Sequence, residues 1–243
     1  MQNSQQQAYD RGITIFSPDG RLYQVEYARE AVKRGTPSVG VRTQDGVVLA
    51  AAKRTRSPLV EGDSVEKIHK VDDHVGIASA GHVADARSLI DFARRRAQIE
   101  SLRYGQPIGV ETLTKAITDH VQEYTQTGGA RPFGVSLLVG GVEDGQPRLY
   151  ETDPSGTPYE WKAVAVGGDR EEIQRFLEEH YREDADLDAG IDLAIEALAS
   201  VDDDFDTTQV SVATVDVETG SLRMLDDDEL ATITDELDLE DEE

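Results

Sequence analysis

The 243-residue chain has no cysteine, which excludes disulfides, thiol nucleophiles and Cys-ligated metals. Lysine is scarce as well, with six against 18 arginines. Nowhere do about eighteen apolar residues run together, so no membrane-spanning helix is expected. The first residues, MQNSQQQAYDR, are polar and do not have the pattern of a secretory signal. Positive charge is short overall: 49 Asp and Glu face 24 Lys and Arg, a formal net charge of -25. Nucleic acids and anionic membranes carry the same sign, so neither is an expected partner. The expectation that remains is a water-soluble, cytoplasmic protein.

What is present suffices for a sizeable core, since 38% of the residues are hydrophobic. The acid excess is spread along the chain. Residues 226–243 hold 11 acids, yet without them the net charge would still be -14. Such a surface suits molar salt, where the Debye length falls to about 3 Å and self-repulsion is screened. A halophilic protein is therefore expected. Residues 1–34 differ, with five bases and four acids. A near-neutral stretch on so acidic a chain is expected to contact protein rather than brine.

There is no internal repeat and no Gly/Ser or Pro linker. Ser17-Pro18-Asp19-Gly20 is a turn or helix-start signal. Leu22, Val25, Ala28 and Val32 then recur at helical spacing, which predicts an amphipathic helix over about 20–33, ended by Gly35. SVGVRT and VVLAAA around Asp45-Gly46 predict a hairpin. VEKIHKV and VGIASAG around Asp72-Asp73 predict a second. Two helices follow, with Val83, Ala86, Ile90, Ala93 and Ala97 on one inner face and Leu113, Ala116, Ile117, Val121 and Tyr124 on the other. Strands return as FGVSLLVGGV, PRLYETD and YEWKAVAVG. Two more helices carry Ile173, Phe176, Leu177 and Tyr181, then Leu187, Ile191, Ala194, Ile195 and Leu198. A last hairpin turns at Thr219-Gly220. Short turns between strands argue for antiparallel sheets, with the helices layered outside. The fold class predicted is α+β, a four-layer αββα sandwich.

Candidate chemistry is thin. No HExxH occurs and no phosphate loop. His69, His74, His82, His120 and His180 read as structural rather than metal ligands. The carboxylate runs at 72–73, 202–204 and 226–228 read as solvated faces or helix-dipole partners. Arg94-Arg95-Arg96 reads as a salt-bridging helix face. One junction is sharper: Gly35-Thr36 precedes an apolar strand. Cleavage there would free the amine of Thr36 to act as general base for its own hydroxyl. Composition alone does not decide this, because Gly-Thr pairs are common.

Longer blocks are more specific. Tyr9-Asp10-Arg11 followed by FSPDGRLYQVEYAREAVKRG (16–35) resembles the N-terminal signature of α-type subunits of the archaeal 20S proteasome. SVEKIHKVDD (64–73), SAGHVADAR (79–87), QEYTQTGGARPFGVSLLVGG (122–141) and Asp153-Pro154-Ser155-Gly156 match further blocks. The resemblance covers nearly the whole chain apart from the acidic C-terminal tail. It implies the αββα sandwich of N-terminal-nucleophile hydrolases, in agreement with the element order. It also divides the chain into a mobile gating tail over 1–12, one domain over 13–225 and an acidic tail over 226–243. In that tail, Leu230, Ile233 and Leu237 are spaced for a short helix.

The family has catalytic β-type and noncatalytic α-type members. Against the catalytic pattern, Thr36 falls at the nucleophile and Lys67 near the lysine. Ala52 stands where an acid is usual, and Gly168 where a serine is. The resemblance therefore implies a noncatalytic subunit with no cofactor or metal. It implies a heptameric α ring on β-type rings, gating substrate entry to the proteolytic chamber. Gate residues implied are Tyr9, Asp10, Arg11, Pro18 and Tyr27. A pocket of Lys67, Gly81, Glu26 and Arg29 is implied to dock the C-terminal tails of an activating AAA ATPase. His82 departs from the more usual aliphatic residue beside that glycine. The alternatives are a self-processed threonine protease with Thr36 as nucleophile, and an acidic assembly chaperone or scaffold outside any ring.

Overall fold

Side chains alternate across a strand, so a strand apolar at nearly every position needs cover on both faces. The computed structural model of the chain provides that cover. It describes residues 16–53, 57, 59–128, 130–202, 205 and 207–237. In chain order the elements are α1 (Tyr23–Lys33), β1 (Ser38–Arg42), β2 (Gly46–Ala52), β3 (Ile68–Asp72), β4 (Val75–Gly81), α2 (Val83–Tyr104) and α3 (Val110–Gln126). Then come β5 (Val135–Glu143), β6 (Gln146–Thr152), β7 (Pro158–Glu160), β8 (Ala163–Val166), α4 (Arg170–His180) and α5 (Leu187–Ala199). The series closes with β9 (Val210–Asp216), β10 (Ser221–Met224) and α6 (Asp227–Glu236).

The strands form two five-stranded antiparallel sheets, ordered β10-β9-β2-β1-β8 and β3-β4-β5-β6-β7. Strand β2 illustrates the layering. Val48 and Ala50 face a core shared with α4, α5 and α6, through Ile173, Leu177, Ile191 and Leu230. Val47, Leu49 and Ala51 face Ala78, Leu138 and Leu149 of the opposite sheet. On the far side, Ile77, Leu137 and Val139 pack against Leu89, Ile90, Leu113 and Ile117 of α2 and α3. Three cores between four layers give the α+β, αββα sandwich that the sequence predicts.

Four local readings need correction. Helix α1 starts at Tyr23 rather than near residue 20. Ser17–Gly20 closes its own turn, with Gly20 N–H on Ser17 O at 2.8 Å and Gly20 at φ +75°. Pro18 holds the second position of that turn, where its fixed φ fits. Val83 is 64% exposed instead of inside, because α2 begins there and its first residue overhangs the end of the sandwich. On α3, Tyr124 is 38% exposed with its ring against the buried Phe133, whereas Thr114 and Thr118 are buried and return their hydroxyls to the Val110 and Thr114 carbonyls. Finally, YEWKAVAVG is two strands in two different sheets, crossing over at Trp161-Lys162.

The acidic C-terminal segment also joins the body of the fold. Leu230 of α6 is buried in the core beneath α5, with Ile233 and Leu237 against it. Asp226 and Glu229 bond each other's backbone N–H at 2.9 and 3.0 Å, fixing the first turn. Replacing Leu230 by Ala should cost about 2–4 kcal/mol, read from denaturant unfolding in molar salt. A cost under about 0.5 kcal/mol would mean that this helix is not part of the core.

Candidate functional site

At one end of the sandwich β1 begins, β4 ends, β5 begins and β8 ends, and α1 lies across that end. Close backbone approach makes the arrangement. A Cβ on Gly35 would sit 2.4 Å from Gly81 N, and Gly81 itself has φ +120°. Only glycine fits both demands. Gly35 N–H bonds Val32 O at 2.9 Å, and Gly168 N–H bonds Gly35 O at 2.8 Å. Val32 is buried in the inter-sheet core. The helix thus runs through a pinned glycine into Thr36, Pro37 and β1.

Beside this junction opens a cleft of about 480 Å³. Thr36, Ala52, Lys67 and Gly168 all line it, together with Gly81. The fold therefore brings together the four positions that the sequence matches to a nucleophile site. Lys67 Nζ donates to Thr36 Oγ1 at 2.7 Å and to Thr36 O at 2.8 Å. Burial pulls the lysine's pKa down to about 8. The site lacks two things that an N-terminal nucleophile needs. The Thr36 nitrogen is a peptide amide, with no basic lone pair to accept the hydroxyl proton. Ala52 has no carboxylate to hold Lys67.

The cleft has a feature that sequence matching did not pick out. Lys33, Lys53 and Lys67 line it, half of the six lysines in the chain, along with Arg34. Val65, Val83, Leu198, Val201 and Phe205 supply apolar wall, and Asp169 and Asp202 contribute acids. The scarcity of lysine was the available signal, since three of so few residues converge only after folding.

The other matched residues lie apart from this lining. Glu26 on α1 accepts two bonds from Arg21, at 2.6 and 2.5 Å. The pairing ties the Ser17–Gly20 turn to the helix. Arg29 makes a bidentate pair with Asp153 at 2.9 and 3.0 Å. Burial raises the Asp153 carboxyl, but Arg29 and Ser155 more than offset it, and its pKa ends below the ordinary value. Tyr27 is 51% exposed on α1. Tyr9, Asp10 and Arg11, with the rest of the 1–12 segment, lie outside the described residues.

Two buried carboxylates were not anticipated. Asp85 on α2 accepts both Arg131 nitrogens at 2.6 Å and Gly134 N–H at 2.8 Å. It anchors the segment that leads into β5. His82, at the start of α2, has Nδ1 3.4 Å from the same carboxylate. Glu151 on β6 accepts Arg170 at 2.6 and 2.9 Å, joining one sheet to the first turn of α4. Neither pair is readable from sequence, because the partners are 46 and 19 residues apart. His120 stacks on Phe92 with ring centroids 4.2 Å apart. Among the described residues, no group of three or more His, Asp or Glu side chains is arranged to hold a metal ion, and no helix is long and apolar enough to cross a membrane.

Comparison with known proteins gives the following. The family profile described as "Proteasome subunit" matches residues 32–215, and the N-terminal signature of the alpha-type members matches residues 9–31. The proteasome alpha subunit of Natronomonas pharaonis is 71% identical over 234 residues, 96% of this chain and 89% of that protein. The first proteasome alpha subunit of Haloarcula marismortui is 73% identical over 227 residues, covering 93% and 87%. The second alpha subunit of the same organism is 68% identical over 244 residues, covering the full length of both. These organisms are halophilic archaea, in keeping with the net charge of -25.

Proposed function

The chain belongs to the proteasome subunit family and is of its α type, and on that premise we propose that it forms the gating ring of a 20S core particle. Seven copies close a ring stacked on β-type subunits in the cytoplasm. Residues 1–12, with Tyr9, Asp10 and Arg11, converge on the axial pore, and Pro18 and Tyr27 set their direction. The α type implies a noncatalytic role. Proteolysis belongs to the β-type partners.

The observation that carries this reading is the close packing of α1 and Gly35 against the sandwich just ahead of Thr36. A disposable propeptide would not need a helix whose Val25, Ala28 and Val32 are buried. Nor would it need Gly35 clamped between Gly81 and Gly168. The cation-lined cleft next to that junction supports docking of an activating AAA ATPase. A terminal carboxylate of the partner would meet Lys67 near Gly81, and its hydrophobic and tyrosine side chains would find the apolar wall. Glu26 and Arg29 lie on α1 outside the cleft lining and would join the docking surface from that helix. In molar salt the exposed part of the ion pair is screened, so the apolar contacts carry more of the affinity.

Native and denaturing mass spectrometry after assembly in molar salt tests the reading. An intact 243-residue chain is expected. Seven copies of 26.6 kDa give an assembly near 186 kDa, or twice that. A chain shortened to begin at Thr36 would make it a self-processed protease subunit instead. A chain that never closes into rings would favour a scaffold.

A further inference from the structure

Thr36 occupies the nucleophile's position in the fold without the means to act as one, and its hydroxyl is nevertheless engaged. We propose that Thr36 is a positioning residue for docking: its hydroxyl and its own carbonyl together aim the Lys67 ammonium at an incoming C-terminal carboxylate. The inference rests on the docking reading above and adds a residue to it.

The geometry is that of a preset bracket. Lys67 Nζ lies 2.7 Å from Thr36 Oγ1 and 2.8 Å from Thr36 O. An ammonium has three N–H donors, so these two acceptors leave one for a ligand. Both acceptors are rigid. Pro37 follows Thr36 and confines it to extended backbone. Pro37 O in turn accepts Ala52 N–H at 3.0 Å, and Gly35 O accepts Gly168 N–H. As a β-branched residue, Thr36 also has a stiff side chain. Lys67 is only 9% exposed, so a flexible four-carbon stem is held in one place.

The burial of the ammonium makes the hydroxyl matter. Lys33, Arg34, Lys53, Asp169 and Asp202 line the same cleft, but it is loss of water that disfavours the charged form of Lys67. Glu66, next in sequence, turns to His69 at 3.4 Å. Among the described residues no carboxylate pairs with Lys67. Burial already brings its pKa down to about 8. The protonated form pairs with a carboxylate below that pH, and docking should fade above it. A hydroxyl that accepts from the charged form holds this limit up. Removing it should move the limit down by about one pH unit, the scale of one hydrogen bond to a charged group.

The test uses the assembled particle and a synthetic peptide ending in a hydrophobic residue, tyrosine and a terminal residue, as the free acid and as the amide. Binding is titrated from neutral to about pH 10 for wild type, Thr36→Val, Thr36→Ser and Lys67→Ala. Thr36→Ala, which removes the hydroxyl without adding a titrating group, runs in parallel should the valine variant not assemble. The expected result is weaker acid-peptide binding by Thr36→Val or Thr36→Ala, with the alkaline limit lowered. Thr36→Ser should restore the wild-type limit, and amide-peptide binding should not respond to Thr36. If Thr36→Val and Thr36→Ala keep the wild-type limit while Lys67→Ala abolishes acid-specific binding, Thr36 does not position Lys67 and docking stands. If Lys67→Ala binds like wild type and acid and amide bind alike, docking at Lys67 fails and takes this inference with it.

Discussion

Deleting residues 2–12 should raise activator-free peptide hydrolysis by the assembled particle roughly tenfold, the equivalent of removing about 1.4 kcal/mol from the barrier to entry. The segment MQNSQQQA has no apolar residue able to anchor it in a core. Its closing effect on a pore would come from the volume seven tails occupy and from hydrogen bonds between neighbours. Such a barrier is vulnerable to shortening. The Ser17–Gly20 turn and its Arg21–Glu26 pairs remain in the deletion, so ring geometry is kept. Fluorogenic peptides and an unfolded protein, assayed side by side, separate entry from chemistry. Hydrolysis equal to that of the full-length particle would contradict a gating role for the segment.

Lys67→Ala should abolish most ATPase-stimulated protein degradation, a loss of tenfold or more. Truncating one partner of a buried charge pair costs about 2–5 kcal/mol, and with Lys67 at 9% exposure molar salt screens only part of that pair. The measurement is degradation of an unfolded protein by particle plus ATPase, with ATP hydrolysis followed in the same tube. Stimulation that matches wild type would remove Lys67 from the docking pocket and move attention to Lys33, Arg34 and Lys53.

Much of this architecture was legible in the chain because the local signals were strong and agreed with each other. Asp45-Gly46 between two apolar runs could hardly be anything but a hairpin, and the order of strands and helices pointed to antiparallel sheets with helices outside. The misreadings occurred where no local signal exists. Trp161-Lys162 contains neither Gly nor Pro, so a strand that leaves one sheet for the other looks like one uninterrupted strand. Val83 has the right spacing for the core and lies outside because the helix has only just begun. The α6 helix itself was legible from the spacing of Leu230, Ile233 and Leu237, but the acids around them hid that it packs on the core. At the cleft, Thr36, Lys67, Ala52 and Gly168 were identified by resemblance, and the fold brings them together. The two bonds from Lys67 to Thr36 and the convergence of Lys33, Arg34 and Lys53 depend on tertiary approach and leave no trace in spacing.

The strand orders of the two sheets also bear on how the protein is made. Strands β3 to β7 pair strictly in sequence, so that sheet is a meander that can form as it leaves the ribosome. The other sheet joins β1 and β2 to β8 and β9, and Gly46 meets Asp216. Contacts so far apart in sequence close slowly. Until residue 216 has emerged, the faces of Val47 and Leu49 have a finished meander to rest on but an unfinished sheet around them. The first hairpin is therefore enclosed only after residue 216 has been made, whereas the helix ahead of it can be pinned earlier, once Gly168 is available to bond Gly35.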